Sequence, residues 1–349
     1  MWGVTFADLR YRYRQFLIAV VGAGLVLAMA LLLSGLVGGF TEEIDWTVGG
    51  VGAQRWVLSE NSHGGIAGSE VFPESDATVI ARSPGVTRVA PLVIAAQQIA
   101  RIDGRTRTVV VFGVQIGNMG DPAVTAGQPL SRPGQVVADV RAGAAVGTMI
   151  TVGAMPLRVV GHVNNRTMLA GTPILFVTLH DAQALALGGR PLVTAVVTRG
   201  IPATVPPGLA VLTNQAVEQS NLTGLAGAVS SINNSKIMMW LVAAMIVAAL
   251  IYVSALQRVR DFAVLKALGS SSLALFGSLA VQAIVVTLLA AAFAMVICNF
   301  MGGLFSQPVA IPASSFATLP GIAVAVGLIS SLVALRRATG ADPAAAFGG

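Results

Sequence analysis

The chain has 349 residues, 55% of them hydrophobic and 10% charged, against about 25% charged in soluble globular chains. That composition excludes an ordinary soluble protein and reads as an integral membrane protein. The net charge of +6 does not indicate a nucleic-acid binder, because the stretch from Phe40 to Ser235 balances 12 Arg against 12 acidic residues and the excess flanks apolar runs.

In chain order, residues 1–15 place Phe6, Leu9, Tyr13 and Phe16 on one helical face with Arg10 and Arg14 beside it. This spacing predicts an interfacial amphipathic helix. The first apolar run, 16–39, has the roughly 20 residues a membrane crossing needs. A cleaved signal peptide is the rival, since Ala28-Met29-Ala30 mimics a cleavage site, but its apolar core spans only about 7–15 residues. Within the run, Ser34/Gly38 and Gly35/Gly39 are small-xxx-small pairs that permit close helix contact. They are the candidate dimer interface, with packing inside one chain as the alternative.

Residues 40–236 form one large segment, long enough for its own core. Its many short strand patterns predict an α/β (α+β) domain. "VIAAQQIARIDGRTRTVVVFGV" reads as a hairpin turning at Asp103-Gly104. "GTMITVGAMPLRVVGHV" reads as another, turning near Gly153. "TPILFVTLHDAQALAL" reads as a strand running into a helix that starts at His180-Asp181, and "LVTAVVTRG" as a further strand. From Asn214 to Ser235 a polar, small-residue helix leads into the next span. Chemistry is sparse here. His63, His162 and His180 lack metal-ligand spacing, no G-x-S-x-G elbow occurs, and "GGVGAQRW" precedes no nucleotide-binding βαβ unit. "NRT" at 165 and "NLT" at 221 match the glycosylation pattern, which is common by chance.

The remaining spans are 237–257, 272–303 and 315–335, with Pro308 and Pro312 in the short loop 304–314 breaking the long apolar tract. Pro320 is expected in the first turn of the last helix, where its missing N–H costs little. Lys and Arg near span ends mark the cytoplasm. Arg10, Arg12 and Arg14, the 258–271 segment, and Arg336 and Arg337 all fall inside under four crossings with both termini cytoplasmic. Residues 40–236 are then extracytoplasmic, and 336–349 form a cytoplasmic tail.

One stretch needs a reason of its own. From Ile237 to Leu335 the only charged residues are Arg258, Arg260, Asp261 and Lys266. They sit in "LQRVRDFAVLKALGSSS", which reads as a short amphipathic helix ending at Gly269, with Arg258 and Asp261 spaced to pair. A positive-inside anchor needs only two arginines and leaves the apolar Phe262-Ala263-Val264-Leu265 run unexplained.

"QRVRDFAVLKALGSS" resembles the signature of FtsX-like permeases, the membrane subunits of MacB- and LolC/E-type ABC transporters. The layout of one span, a large domain and three spans is similar to that family, as is the tail "RRATGADPAAAF". "SPGVTRVAPLV", "VFGV" and "PGQVVADVRAGAAVGTMITVG…LRVVGHV" look like its MacB periplasmic-core domain. The sequence departs in having Asp261 where the family has Glu.

The resemblance implies a bacterial cell-membrane permease that dimerises with itself or a close paralogue and docks two copies of a P-loop ATPase. The docking residues would be Arg258, Arg260, Asp261, Phe262, Leu265, Lys266 and Gly269, with the N-terminal helix beside them. ATP and Mg would be bound by the partner, since this chain has no G-x-x-x-x-G-K-[ST] loop and is not expected to be an enzyme or to hold a cofactor. ATP-driven closure would move the extracytoplasmic domain, a mechanotransmission that exports or extracts a lipid, peptide or drug-like substrate. The absence of Asp, Glu, Lys or Arg within the spans fits that better than a proton relay. The expected partners are membrane lipid and an extracytoplasmic accessory protein, with no nucleic acid. The alternatives are an FtsX-like signalling subunit regulating cell-wall enzymes, a small-solute uptake permease, for example for an amino acid, and a membrane-anchored enzyme or sensor.

Overall fold

The computed structural model describes residues 13–66, 68–257, 272–301 and 310–339. The chain divides into two compact units. One comprises Met1–Gly38 with Ala228–Gly349, and the other Gly39–Gly227.

The elements follow in chain order. Helix α1 is Tyr13–Gly49, followed by β1 Arg55–Ser59, β2 Phe72–Pro73, α2 Ser75–Ala81, β3 Val86–Ile102 and β4 Arg105–Val114. Then come β5 Ala126–Gly127, β6 Gln135–Asp139, β7 Met149–Val152, β8 Met155–Val163, β9 Thr167–Met168 and β10 Thr172–Thr178. Helix α3 Leu179–Leu187 precedes β11 Leu192–Val193, β12 Ala195–Gly200 and β13 Leu209–Thr213. The chain closes with α4 Asn214–Gly224, α5 Ala226–Leu256, α6 Ser272–Met301 and α7 Ala313–Thr339.

In the helical unit, apolar residues recur at helical spacing, and alanines alternate with larger side chains such as Leu27 and Ile251 in the buried core. Ala19, Ala23 and Leu27 of α1, Ala243 and Val247 of α5, and Ala283 and Ala290 of α6 share one core. A Cβ on Gly24 would meet the Phe293 ring at 2.6 Å and the Ala290 carbonyl at 3.0 Å, so α1 and α6 approach closely there. Further along, the Cys298 thiol donates to the Ala28 carbonyl at 3.2 Å. Gly327 of α7 plays the same part against Thr287 and Ile284 of α6. Between membrane helices, association rests on such backbone proximity rather than on hydrophobic burial. The outward faces stay apolar, with Ile18, Met245, Val296 and Phe300 all more than half exposed.

Among the described residues three helices are long and apolar enough to cross a membrane: Phe16–Gly49, Ala226–Ser254 and Leu279–Phe300. A shorter apolar stretch covers Ala313–Ile329. Helix α7 starts at Ala313, so Pro320 lies inside the helix and not in its first turn. Pro312 supplies the start instead, and its carbonyl accepts from the Ser315 amide.

In the globular unit both expected hairpins form, β3–β4 across Asp103-Gly104 and β7–β8 across Gly153-Ala154. The strand-into-helix reading holds for β10 and α3, where the Thr178 side chain accepts from the Asp181 amide as N-cap. The stretch 214–235 is not one helix, because a break at Leu225 separates α4 from α5.

The pairings β3–β4, β4–β10, β10–β6, β6–β8, β8–β7 and β7–β3 close six strands into a ring. Two of them, β4–β10 and β6–β8, are parallel. One face of each strand fills the interior, with Ile102, Val111, Val136, Ile150, Leu157 and Val177 in one core. Strand β3 belongs to the ring and also extends it, pairing its first half with β12, which leads on to β1 and the edge strand β13. A bulge between Ala95 and Gln98 bends β3 between these duties.

The outer face carries the second core, centred on fully buried Trp56 and the Phe112–Phe176 pair, whose ring centroids lie 5.4 Å apart. Val48 from the end of α1 and Val217 from α4 both pack into this second core. Gly113 of "VFGV" lets α3 rest on β4, because a Cβ there would collide with the Ala182 side chain and sit 3.5 Å from Leu179 Cα. Gly113→Val should therefore destabilise the globular unit by about 1–3 kcal/mol, read as a lowered Tm of the detergent-solubilised protein, whereas Gly134→Ala, which meets open space on a loop, should show only the smaller loss set by its positive φ.

Candidate functional site

The seven sequence-predicted docking residues, Arg258, Arg260, Asp261, Phe262, Leu265, Lys266 and Gly269, lie outside the described residues, as does the N-terminal stretch 1–12. The four small residues of α1 are described. Gly35 and Gly39 are buried, Ser34 and Gly38 half-buried. Ser34 donates back to the Ala30 carbonyl at 3.1 Å. The Gly35 carbonyl accepts from the Ala310 amide at 2.9 Å, and a Cβ on Gly38 would collide with the Ala310 carbonyl and the Pro312 ring. Residues 310–312 of the same chain thus occupy the close approach at Gly35 and Gly38, and a second copy is not needed to explain these glycines.

A built site appears four residues further along. Helix α1 runs unbroken from Tyr13 to Gly49, so its last turns, from Gly39 on, belong to the globular unit. Those turns are clasped by the loop from Asn164 to Gly171, between β8 and β10. The Glu43 carboxylate is 6% exposed and accepts from two consecutive amides, Ala170 at 2.9 Å and Gly171 at 2.8 Å. Both amides point the same way because Leu169, Ala170 and Gly171 have φ of 56°, 63° and 90°. Successive N–H groups in such a turn form a concavity that binds an anion. Left-handed backbone costs about 1–2 kcal/mol at a non-glycine residue, and each hydrogen bond to a charged group returns about 1.5–3 kcal/mol.

One turn on, Arg166 closes the helix end. Its guanidinium donates to the Trp46 carbonyl at 2.7 Å and stacks 5.4 Å from the Trp46 ring. The Trp46 carbonyl also accepts from the Gly50 amide at 3.0 Å, and a cation at a helix C-terminus complements the helix dipole. Gly50 is needed here, since a Cβ would run into that guanidinium. The Thr47 hydroxyl donates to the Glu43 carbonyl at 2.8 Å and faces the Thr167 carbonyl at 3.4 Å.

Arg166 is itself held by fully buried Asp139 at the end of β6, whose two oxygens accept from the Arg166 amide at 2.7 Å and the Arg141 amide at 2.9 Å. Burial pushes the Asp139 carboxyl above its ordinary value, against the pull of those two amides and of the nearby Arg141 and Arg166 charges. Burial likewise lowers the Arg166 guanidinium, and Asp139 opposes that shift.

The second linker is fastened separately. The Asn214 side chain donates to the Ala53 carbonyl at 3.1 Å. The Asn221 amide accepts from the Ile66 amide at 3.3 Å and donates to the Gly64 carbonyl at 3.3 Å and the Val217 carbonyl at 2.7 Å.

Among the described residues no group of three or more His, Cys, Asp or Glu is placed to hold a metal ion. His162 hydrogen-bonds the Ala144 carbonyl at 2.6 Å from within β8. The site fastens the last turns of α1 to the loop between β8 and β10.

Sequence reasoning missed Glu43 and Arg166. Glu43 sits in "TEEID", a charged run that reads as solvated, and Arg166 lies inside the "NRT" match.

Glu43→Gln replaces one acceptor oxygen with a donor facing the Ala170 and Gly171 amides. It should cost about 1.5–3 kcal/mol and accelerate hydrogen exchange at those two amides while the ring strands stay protected. Asp139→Asn tests the neighbouring carboxylate. A group whose folded pKa is raised stabilises the fold most below the ordinary carboxylate range and loses that contribution as pH rises through the raised value. The stability of the wild type relative to Asp139→Asn should therefore increase as pH falls from 7 toward 4, as measured by parallel thermal melts.

Comparison with known proteins gives the site its context. The family model described as FtsX-like permease C-terminal matches residues 236–343. An uncharacterized ABC transporter permease of Mycobacterium bovis is 38% identical over 342 residues, covering 98% of both chains. One from Mycobacterium tuberculosis matches to the same extent, and a second from that species is 37% identical with 98% of both chains covered. Among solved structures, the periplasmic region of MacB from Actinobacillus actinomycetemcomitans matches with a TM-score of 0.37 at 12% identity, covering 48% of this chain and 92% of that one. The extracellular domain of the noncanonic ABC-type transporter YknZ from Gram-positive bacteria matches with a TM-score of 0.35 at 12% identity, covering 46% and 99%. On the near full-length match to these permeases and the C-terminal family model, the chain belongs to the FtsX-like family of ABC transporter permeases.

Proposed function

We propose that the chain is a mechanotransmitting permease subunit, coupling ATP hydrolysis by a separate P-loop ATPase to movement of its residues 40–236 on the extracytoplasmic side of a bacterial cell membrane. The observation that carries this reading is the clasp. A membrane helix that continues unbroken into a globular unit, with its end held by Glu43, Trp46 and Thr47 against the ring, transmits displacement instead of dissipating it in a loop. In this reading the chain crosses four times, at about 16–39, 237–257, 272–303 and 315–335, with both termini cytoplasmic. The ATPase, in two copies, binds ATP and Mg and docks on residues 258–271, where Arg258, Arg260, Asp261, Phe262, Leu265, Lys266 and Gly269 lie, beside the N-terminal helix 1–15. The permease works as a dimer with itself or a close paralogue, and this chain carries out no catalysis. A seam on α1 would use half-buried Ser34, since Gly39 is buried and Gly35 and Gly38 serve the chain's own packing. The cargo is a lipid, peptide or drug-like molecule released or extracted on the extracytoplasmic side, with an accessory protein there.

A pull-down of the tagged full-length chain from native membranes tests this, with an Arg260→Ala/Asp261→Ala variant alongside. A P-loop ATPase recovered with the wild type and lost with the variant is the expected result. An intact, membrane-inserted wild type that brings down no ATPase overturns the reading.

A further inference from the structure

Strand β13 is bonded on one side only, and its open side carries a particular set of backbone groups. Residues Leu209–Thr213 pair with β1, Leu209 opposite Ser59 and Thr213 opposite Arg55. The Glu60 amide donates to the Gly208 carbonyl at 2.9 Å and continues the same register. Hydrogen-bonded residues alternate along an antiparallel pair, so Ala210 and Leu212 turn their backbone groups to β1. Leu209, Val211 and Thr213 turn theirs away. Some of these outward groups are used within the chain. The Leu209 amide donates to the Pro206 carbonyl at 3.3 Å. Thr213 is the N-cap of α4, and the carbonyl of a cap residue accepts the first helical bond. The Leu209 carbonyl, the amide and carbonyl of Val211 and the Thr213 amide are left over, and they have no partner among the described residues.

Natural sheets guard an open edge with charge, proline or a bulge. The strand Leu-Ala-Val-Leu-Thr carries none of these, and its ladder with β1 has no register shift. Ala210, Val211 and Leu212 are half-buried, and Pro206 and Pro207 stand ahead of the strand in the preceding loop.

The open groups complement themselves about Val211. A two-fold axis at that residue sets the Val211 amide against the carbonyl of the partner's Val211, and the reverse. It sets the Thr213 amide against the carbonyl of the partner's Leu209, and the reverse. The groups already used, the Leu209 amide and the Thr213 carbonyl, then face each other across the seam and need nothing. Side chains match as well. Ala210 lies opposite Leu212 on one face, and Val211 opposite Val211 on the other, with no charge against a like charge. Arg55 and Glu60 stand at opposite ends of β1, so the axis brings each end level with the oppositely charged end of the second copy. An unrelated strand has no reason to leave the same two positions spent.

We propose that β13 pairs antiparallel with β13 of a second copy of this chain, joining the two sheets across a two-fold axis at Val211. The contact consumes the same edge on both copies, so it closes at two. This names a contact surface for the dimer of the reading above, and it requires no ATPase.

Amide exchange of the purified full-length chain tests the seam, in nanodiscs holding two copies and in nanodiscs holding one. The Val211 amide should exchange about tenfold more slowly in two-copy discs, the effect of roughly one hydrogen bond, while Ala210 and Leu212 exchange alike in both. Equal exchange at Val211 in the two samples overturns the proposal without recourse to any variant. A cross-link then tests the register. Hydrogen-bonded residues of an antiparallel pair have Cα atoms about 5.5 Å apart, within the roughly 4.4–6.8 Å that a disulfide spans. In a Cys298→Ala background, differently tagged chains bearing Val211→Cys should form a mixed-tag disulfide on mild oxidation. Chains bearing Ile99→Cys, at a residue 60% exposed on β3, should not. A folded Val211→Cys chain that gives no mixed-tag disulfide in two-copy discs overturns the two-fold seam. A seam found in a chain that recruits no ATPase stands and removes only the permease mechanism, whereas an ATPase recovered with a chain whose β13 stays open removes only the seam.

Discussion

A carboxylate buried at the end of an apolar helix must find donors, and Glu43 finds them in two consecutive amides of a single loop. Much of the globular unit is arranged around that requirement. The amides converge because three residues in a row adopt left-handed backbone. The loop keeps that shape because Arg166, three residues before it, is fixed on both sides, by Trp46 at the helix end and by Asp139 at the end of β6. Asp139 in turn is held by a strand of the closed ring. Helix end, loop and ring are therefore one hydrogen-bonded assembly, and removing either carboxylate, Glu43 or Asp139, leaves two backbone amides without their acceptor.

The helical unit follows a different rule. Close contacts in its core include the backbone approaches at Gly24 and Gly327, with Ala283 and Ala290 on the facing surface. Large apolar side chains lie both in the core, as Leu27 and Ile251 do, and on the outer face, as Ile18 and Phe300 do, as expected where the surroundings are as apolar as the protein. Firm attachment is thus built from charge in one unit and from the absence of side chains in the other.

Much of this was legible in the sequence, unevenly. Hairpins announced by Asp103-Gly104 and Gly153 formed because a tight turn and alternating burial are local signals. The family resemblance was likewise carried by contiguous motifs. The break at Leu225 was hidden, since polar, small residues continue on both sides of it, and the contacts of Asn221 one turn earlier, to Gly64 and Ile66, come from far away in the chain. Pro320 misled because two prolines bracket the start of α7 and only the first, Pro312, sits at the helix boundary. The small residues at 34–39 read as a candidate helix seam; Gly35 and Gly38 meet residues 310–312, which lie far away in the chain and which spacing alone does not indicate. Glu43 and Arg166 escaped for the same reason, since their partners are more than a hundred residues away in sequence.

The register of β1 and β13 bears on how the unit responds to load. Arg55 pairs with Thr213 at one end of this antiparallel pair, and Ser59 with Leu209 at the other. The chain enters β1 and leaves β13 at the same end, so tension between the two linkers acts across the ladder and not along it. Loaded this way, the bonds open one after another from the Arg55–Thr213 end, as in a zipper, instead of resisting together. The Asn214–Ala53 hydrogen bond lies just beyond that end, behind the clasp on α1 and the Asn221 contacts on α4. Since β1 is also bonded to β12, peeling would release β13 alone and leave the ring closed, making the edge strand a mechanical fuse for everything behind it.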